Sequence, residues 1–358
     1  MVTALLRGAG VGIAVFAFAY VFSYTNLFAT EYRSTASDTP ERFIPLPVLD
    51  KAAYDARLLA LAHESTTTVA VLTASTTVPE ASSTMRLWPV KTVYPDAGAI
   101  LPFKRIVAYY GNYYSKQMGV LGEYPPEQML AMLGAEVKSW EVADPSTPVL
   151  PALEYIAVVA QGSPGKDGKY RLRMPDDQIE KTIQLADQVH GLTILDVQVG
   201  LSTLQEELPL LEPYLKLPQV ELAIDPEFSM KYGNPPGTVI GTFDASDINY
   251  AAQYLAGLVR EYHLPPKILI VHRFTEAMVT RYKKIQPLPE VEIVMDMDGW
   301  GSKAKKRGTY NSVIYPEPVQ FTGIKLFYKN DLKPPSTGML TPAEVLSLTP
   351  EPIFIQYQ

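Results

Sequence analysis

The chain contains no cysteine among its 358 residues. That absence excludes disulfides, thiolate metal sites, iron–sulfur clusters and thiol nucleophiles together. It also excludes the lipid-modified cysteine by which a bacterial lipoprotein is held. Histidine is scarce, at four residues, and charged residues make up only 19%. The 38 acids outnumber the 31 bases, for a net charge of -7. Such a balance carries no electrostatic footprint for nucleic acid, and none is expected as a partner. No G-x-S-x-G elbow, H-E-x-x-H pair or glycine-rich phosphate loop after the first apolar run is present, so common serine hydrolase, zincin and nucleotide-binding classes lack support. What is abundant is apolar side chain, 47%, and proline, 31 residues or about 9% against the usual ~5%. The first supplies a core; the second implies many punctuated elements or an extended spacer.

One long chargeless run stands at the start. Gly8 to Thr30 is 23 residues without a charge, enough to cross ~30 Å of hydrocarbon at ~1.5 Å per residue. Arg7 precedes it, Glu31 and Arg33 follow, and no well-placed small-x-small cleavage site comes after. Residues 1–33 therefore read as a signal anchor that holds the protein to a membrane through residues 8–30, with the remainder outside the cytoplasm. Residues 34–100 read as a Ser/Thr/Pro-rich linker, with a short helix expected at Ala52–Ala62.

From Leu101 to Gln358, 258 residues, short β-branched runs alternate with helical stretches. The runs are Arg105–Tyr110, Glu154–Ala160, Leu192–Val199, Val220–Ile224, Ile268–His272, Val291–Met297, Ser312–Tyr315 and Ile324–Tyr328. Helical patterns fall at Pro126–Gly134, Pro175–Val189, Ser202–Leu215, Ser246–Tyr262 and Glu276–Ile285. Near-continuous apolar runs separated by helices imply parallel strands covered on both faces. Eight such units in about 250 residues predict an α/β fold, a (β/α)8 TIM-like barrel, over a doubly wound open sheet.

In a barrel of this kind the chemistry sits at the carboxyl ends of the strands. Three runs end in polar pairs spaced i, i+2: Asp196 and Gln198, Asp225 and Glu227, Asp296 and Asp298. With Ala223 pointing inward, Asp225 and Glu227 follow it inward along a continuing strand. The fifth run adds His272, the seventh leads into Glu317, and the last brings Lys325. Carboxylates set in apolar strands are costly unless paired or functional. Gathered at one mouth, their pKa values are pushed apart, as acid and base roles require. Glu227 is the expected general acid/base, and Asp298 or Glu317 the second carboxylate. Asp225, Asp196, Asp296 and His272 support them. Tyr109, Tyr110, Phe228 and Trp300 are the aromatics expected to meet a sugar, with Gln198 and Lys325 as polar contacts. A metal site drawn from His272 and these acids is an alternative chemistry that spacing alone does not establish, and no cofactor is expected. Lys303–Arg307 (KAKKR) reads as a solvated loop.

The phrases AYYGNYYSKQMGVLGE, LPALEYIAVVA, TILDVQVG, LAIDPEFSM, KILIVHRFT and PIFIQYQ, in that order, resemble an exported bacterial protein family. Its members are single (β/α)8 barrels, glycoside-hydrolase-like in fold, behind a signal or lipoprotein sequence and a low-complexity linker. The resemblance spans Val107 to Gln358. It implies the barrel and export, and carries over no catalytic residue. The missing cysteine sets this chain apart from lipoprotein members and leaves anchoring to the helix itself. The expected function is a membrane-anchored, glycosidase-like hydrolase acting on an envelope or external polysaccharide, or a non-catalytic barrel that binds one.

Overall fold

The computed structural model describes residues 46–64 and 86–358. The anchor expected at 8–30 lies outside the described residues. Among those described, no helix is long and apolar enough to cross a membrane.

Eight parallel strands form the centre: β1 (Arg105–Gly111), β2 (Val149–Ala160), β3 (Leu192–Val197), β4 (Val220–Ile224), β5 (Lys267–Arg273), β6 (Val291–Met297), β7 (Phe321–Leu326) and β8 (Phe354–Tyr357). Each pairs with its sequence neighbours, and β1 pairs with both β2 and β8, so the sheet closes into a (β/α)8 barrel. The expected strand at Ser312–Tyr315 is instead the end of a π-helical turn, Tyr310–Ile314. The eighth strand is Phe354–Tyr357, in the closing PIFIQYQ. A four-residue apolar run fits a buried helical turn as well as a strand, and only closure of the sheet decides between them.

The connecting helices include α2 (Pro126–Ala143), α3 (Asp176–Asp187), α4 (Leu204–Leu215) and α5 (Ala245–Tyr262), after the short α1 (Lys51–Leu61). Helix α5 starts sharply because Asp244 and Asp247 form a capping box. After β5 the expected helix Glu276–Ile285 is replaced by two 3₁₀ turns and a two-residue strand. After β6 comes α6 (Lys303–Thr309), so KAKKR is a helix and its Lys306 is buried. The short α7 (Pro342–Leu346) precedes β8.

Period two along each strand divides the core. Ile106, Ala108, Ile194, Ala223, Ile268, Ile270 and Val294 fill the barrel interior. Their neighbours Val107, Leu195, Leu222, Leu269 and Ile293 face outward into the layer shared with the helices. The interior is thus packed side chain, not a pore.

Described parts of the stretch read as a linker pack against this barrel. Tyr54 of α1 joins the interior cluster, with Leu58, Leu61 and Ile100 packed against it, and the indole of Trp88 donates to the carbonyl of Tyr315 at 2.9 Å. The compact unit begins at Leu46, well before Leu101. Helix α1 starts at Lys51, capped by Asp50, which accepts from the Ala53 N–H.

Candidate active site

The inward parity that places Ala108, Ile194, Ala223, Ile270 and Val294 in the apolar interior puts Tyr110, Asp196, Asp225, His272 and Asp296 one layer further toward the carboxyl ends. Glu154 of β2 meets this group through His272, and Lys325 of β7 meets it over the face of Tyr110. All are buried. Gly323 makes this layer possible, because a Cβ there would lie 2.6 Å from Asp296 Oδ1. The carboxylate occupies the space a side chain would need.

His272 organises the lower part of the site. Its Nδ1 is 3.1 Å from Asp296 Oδ2 and 3.5 Å from Asp298 Oδ2, and its Nε2 is 2.9 Å from Glu154 Oε1. Both ring nitrogens face carboxylates, an arrangement that favours the imidazolium, in which both donate. Burial alone would lower its pKa, but the hydrogen bonds to Asp296 and Glu154 overcome burial and raise it well above the usual histidine value. Asp196 accepts from the Tyr110 hydroxyl at 3.0 Å, and that hydroxyl accepts from Gln198 Nε2 at 3.2 Å. Burial pushes the Asp196 carboxyl up to about 7, against the pull of the His272 charge.

Above this layer opens a cavity of about 630 Å³. Its polar wall is made by Tyr110, Gln198, Asp225, Glu227, Asp298 and Lys325, and its apolar wall by Ile156, Phe228, Phe274, Trp300 and Phe327. Glu227 does not arrive there along a continuing strand. Strand β4 ends at Ile224, and Pro226 opens a 3₁₀ turn, Pro226–Phe228, that Asp225 caps by accepting from the Glu227 N–H at 2.9 Å. The turn lifts Glu227 onto the cavity wall, half-buried, where it forms no ion pair among the described residues. Its pKa is pushed up to about 7, first by burial and then by the negative charge of Asp298. Asp225, beside it, is raised well above the carboxylate range by burial and by Asp196 and Asp298.

Asp298 is placed differently. Its Oδ2 lies 3.5 Å from His272 Nδ1 and 3.8 Å from Lys325 Nζ, so two cations flank it. Its Oδ1 is buried and has no hydrogen-bond partner among the described residues. Lys325 is itself held over the face of Tyr110, 3.6 Å from the ring centroid.

Eight of the residues singled out in the sequence meet at this cavity: Glu227, Asp225, Asp298, Tyr110, Gln198, Phe228, Trp300 and Lys325. Asp196, Asp296 and His272 lie directly beneath it. Two do not join. Tyr109, expected at the rim, points outward, where its hydroxyl meets that of Tyr328 at 2.9 Å; adjacent strand residues take opposite faces. Glu317 is not on a strand end, because 312–315 is not a strand, and its carboxylate is taken by the guanidinium of buried Arg273.

Sequence reasoning does not single out Glu154. The apolar run Glu154–Ala160 sets it at the head of a strand, whereas β2 begins at Val149 and puts Glu154 mid-strand, facing in. An acid at the head of an apolar run was the available signal. Glu154, Asp196 and His272 offer ligand atoms within 4.8 Å of one another, close enough to consider a metal. The chemistry of the set argues otherwise, since His272 already bonds carboxylates through both nitrogens and would have to surrender one, with its proton. The ring supplies in place the positive charge that a cation would bring.

No protein-family model matches the chain, and no curated protein matches it by sequence. Among solved structures it is similar to a Bacillus subtilis mannanase, BCman, with 11% identity and a TM-score of 0.36, over 72% of this chain and 80% of that one. It is also similar to GH26C from Muricauda sp. MAR_2010_75, with 10% identity and a TM-score of 0.29, over 74% and 75% of the respective chains. At these values the chemistry of the site has to be read from this chain's own residues.

Proposed function

We propose that this barrel is a glycosidase-like hydrolase of an envelope or external polysaccharide, with Glu227 as general acid/base and Asp298 as the second carboxylate. The observation that carries the reading is the unequal treatment of these two acids on one cavity wall. Glu227 forms no ion pair among the described residues and holds its proton up to about pH 7. Asp298 has two cations beside it, and its buried Oδ1 is free of hydrogen bonds among the described residues. Two carboxyl groups with environments driven apart are the requirement of glycoside cleavage. Glu227 protonates the departing glycosidic oxygen. Asp298 supports the positive charge that develops at the anomeric carbon, either attacking it or activating water. Phe228 and Trp300 offer apolar faces for sugar rings.

The test is hydrolysis of cell-wall and external glycans by the full chain and by Glu227→Gln. Loss of about 10²–10⁴-fold in turnover is expected for a missing general acid/base; equal turnover by the variant sinks the assignment. The internal pairing of Asp196 with Tyr110, and of His272 with Glu154 and Asp296, favours a second reading, a barrel that binds glycan without cleaving it. Tight binding with no cleavage by the unaltered protein would select that reading.

The chargeless run Gly8–Thr30 supports a membrane anchor with the barrel outside the cytoplasm. Removal of residues 1–33 is then expected to move the protein from the membrane to the soluble fraction of disrupted cells. Retention on the membrane would count against the anchor.

A further inference from the structure

The cavity's lip at Trp300 is basic, although the chain as a whole carries -7. Lys305 Nζ lies 4.8 Å from the Trp300 ring centroid and Lys333 Nζ lies 5.4 Å from it. Other cations nearby are engaged: Lys303 and Arg307 share Glu344, and Lys329 pairs with Glu123. Lys305 and Lys333 are exposed and form no ion pair among the described residues. Two exposed ammonium groups that share one indole and have no ion-pair partner among the described residues present unneutralised positive charge to an anion.

The lip is also built to stay in place. Buried Lys306 donates to the carbonyl of Gly299 at 2.8 Å and lies 3.2 Å from Asp331 Oδ2. Asp331, also buried, accepts from the Gly301 N–H at 2.8 Å and the Phe327 N–H at 3.0 Å. Trp300 therefore sits between two tethered residues. Gly301 has φ of +149°, and a Cβ there would lie 2.6 Å from Lys305 Cδ, so the lysine stem lies close against the glycine backbone. Fixed donors lose less entropy on binding than free ones.

The floor differs: its cations His272 and Lys325 already face the carboxylate of Asp298. An anionic group therefore finds its unpaired cations at the lip and not at the floor. Resting on the glycan reading above, we infer that the lip takes an anionic substituent of the polysaccharide, a uronate carboxylate or a sulfate or phosphate ester. That substituent belongs to a sugar beside the one held over Glu227 and Asp298. Lysine, a point charge with rotatable donors, suits either kind of anion.

Binding to the full chain carrying Glu227→Gln, which keeps substrate intact, tests this. The probes are oligogalacturonate, a sulfated galactan oligomer and a neutral glucan oligomer of equal length, measured by calorimetry at low and high salt. An anionic oligomer is expected to bind about tenfold tighter than the neutral one at low salt, with the advantage shrinking as salt rises. Adding Lys305→Gln with Lys333→Gln should remove that tenfold, about 1.4 kcal/mol, and Lys305→Arg with Lys333→Arg should keep it. Whichever anionic probe binds names the substituent. Neutral glucan binding as tightly as both anionic probes, or no effect of the double glutamine variant, overturns the anionic lip and leaves the glycan reading standing. No binding by any of the three overturns both.

Discussion

The two ends of the barrel interior treat buried carboxylates in opposite ways. At the amino end, Glu292 of β6 accepts the N–H groups of Ile100 at 3.1 Å and Leu101 at 3.0 Å, and Leu101 joins the apolar interior above it. At the carboxyl end, Glu227 faces a cavity of about 630 Å³ with no ion pair among the described residues. Burial raises the pKa of both, well above the usual range for Glu292 and to about 7 for Glu227. A raised pKa therefore does not mark a functional acid by itself. Access does: Glu292 is stoppered by the chain that enters β1, while Glu227 is presented by a turn.

The widest separation between the two ends is expected in rate. Glu227→Gln should cost about 10²–10⁴-fold in glycan turnover, while Glu292→Gln should leave turnover intact and cost about 1–3 kcal/mol of stability through a mispaired backbone N–H. Stability against pH should unite the two acids. For Glu227, the unfolded chain gives up its proton near 4.5 and the folded chain near 7. The folded state thus binds more protons between those values, and stability falls as pH rises through that window. Glu292 adds a fall of the same sign that begins near 4.5. Each glutamine variant should flatten the denaturant midpoint's decline with pH. In the unaltered protein, any glycan turnover should fall above about pH 7 as Glu227 loses its proton. Identical pH–stability curves for all three proteins would erase the comparison.

Beneath the cavity the contrast sharpens from rate to stability. Among the described residues, the His272 imidazolium is the one cation within hydrogen-bond reach of both Glu154 and Asp296. His272→Leu should destabilise by about 3–5 kcal/mol, because buried carboxylates lose their counter-charge. Chemical denaturation measures it. A loss below about 1 kcal/mol would mean that these acids are held protonated and need no partner. At the amino end no such cation is required, since backbone N–H groups do the work for Glu292.

Much of the barrel was legible because fully covered parallel strands leave long apolar runs, and seven of the eight strands overlap such runs. Inward parity from Ala223 led correctly to Asp225. It did not describe Glu227, where Pro226 ends the strand and a 3₁₀ turn takes over. The eighth strand hid because Ser312–Tyr315 and Phe354–Tyr357 are equally short and apolar, and nothing local says which one closes a sheet. Contacts across long separations were out of reach altogether. The Arg273–Glu317 pair that removes Glu317 from the cavity joins a strand end to a loop after a π turn. The tethering of Trp300 through Asp331 likewise depends on the packing of α6.

The smallest effect tests the parity rule itself, on two neighbours that composition treats alike. Tyr109 and Tyr110 are consecutive, both buried, both with hydroxyls in hydrogen bonds. Tyr109 faces the helices and meets Tyr328, whose hydroxyl donates to Glu136 at 2.7 Å. Tyr110 faces the cavity, donates to Asp196 and carries the Lys325 ammonium on its ring. Removal of either hydroxyl should cost about 1 kcal/mol of stability, the worth of one buried hydrogen bond. Only Tyr110→Phe should also alter kcat, since it frees Gln198 and Asp196 at the cavity floor while keeping the ring under Lys325. Tyr109→Phe should leave kcat and KM unchanged. Equal kinetic effects from the two variants would mean that the inner and outer faces of β1 are not functionally distinct, and that the floor beneath Glu227 does not set its chemistry.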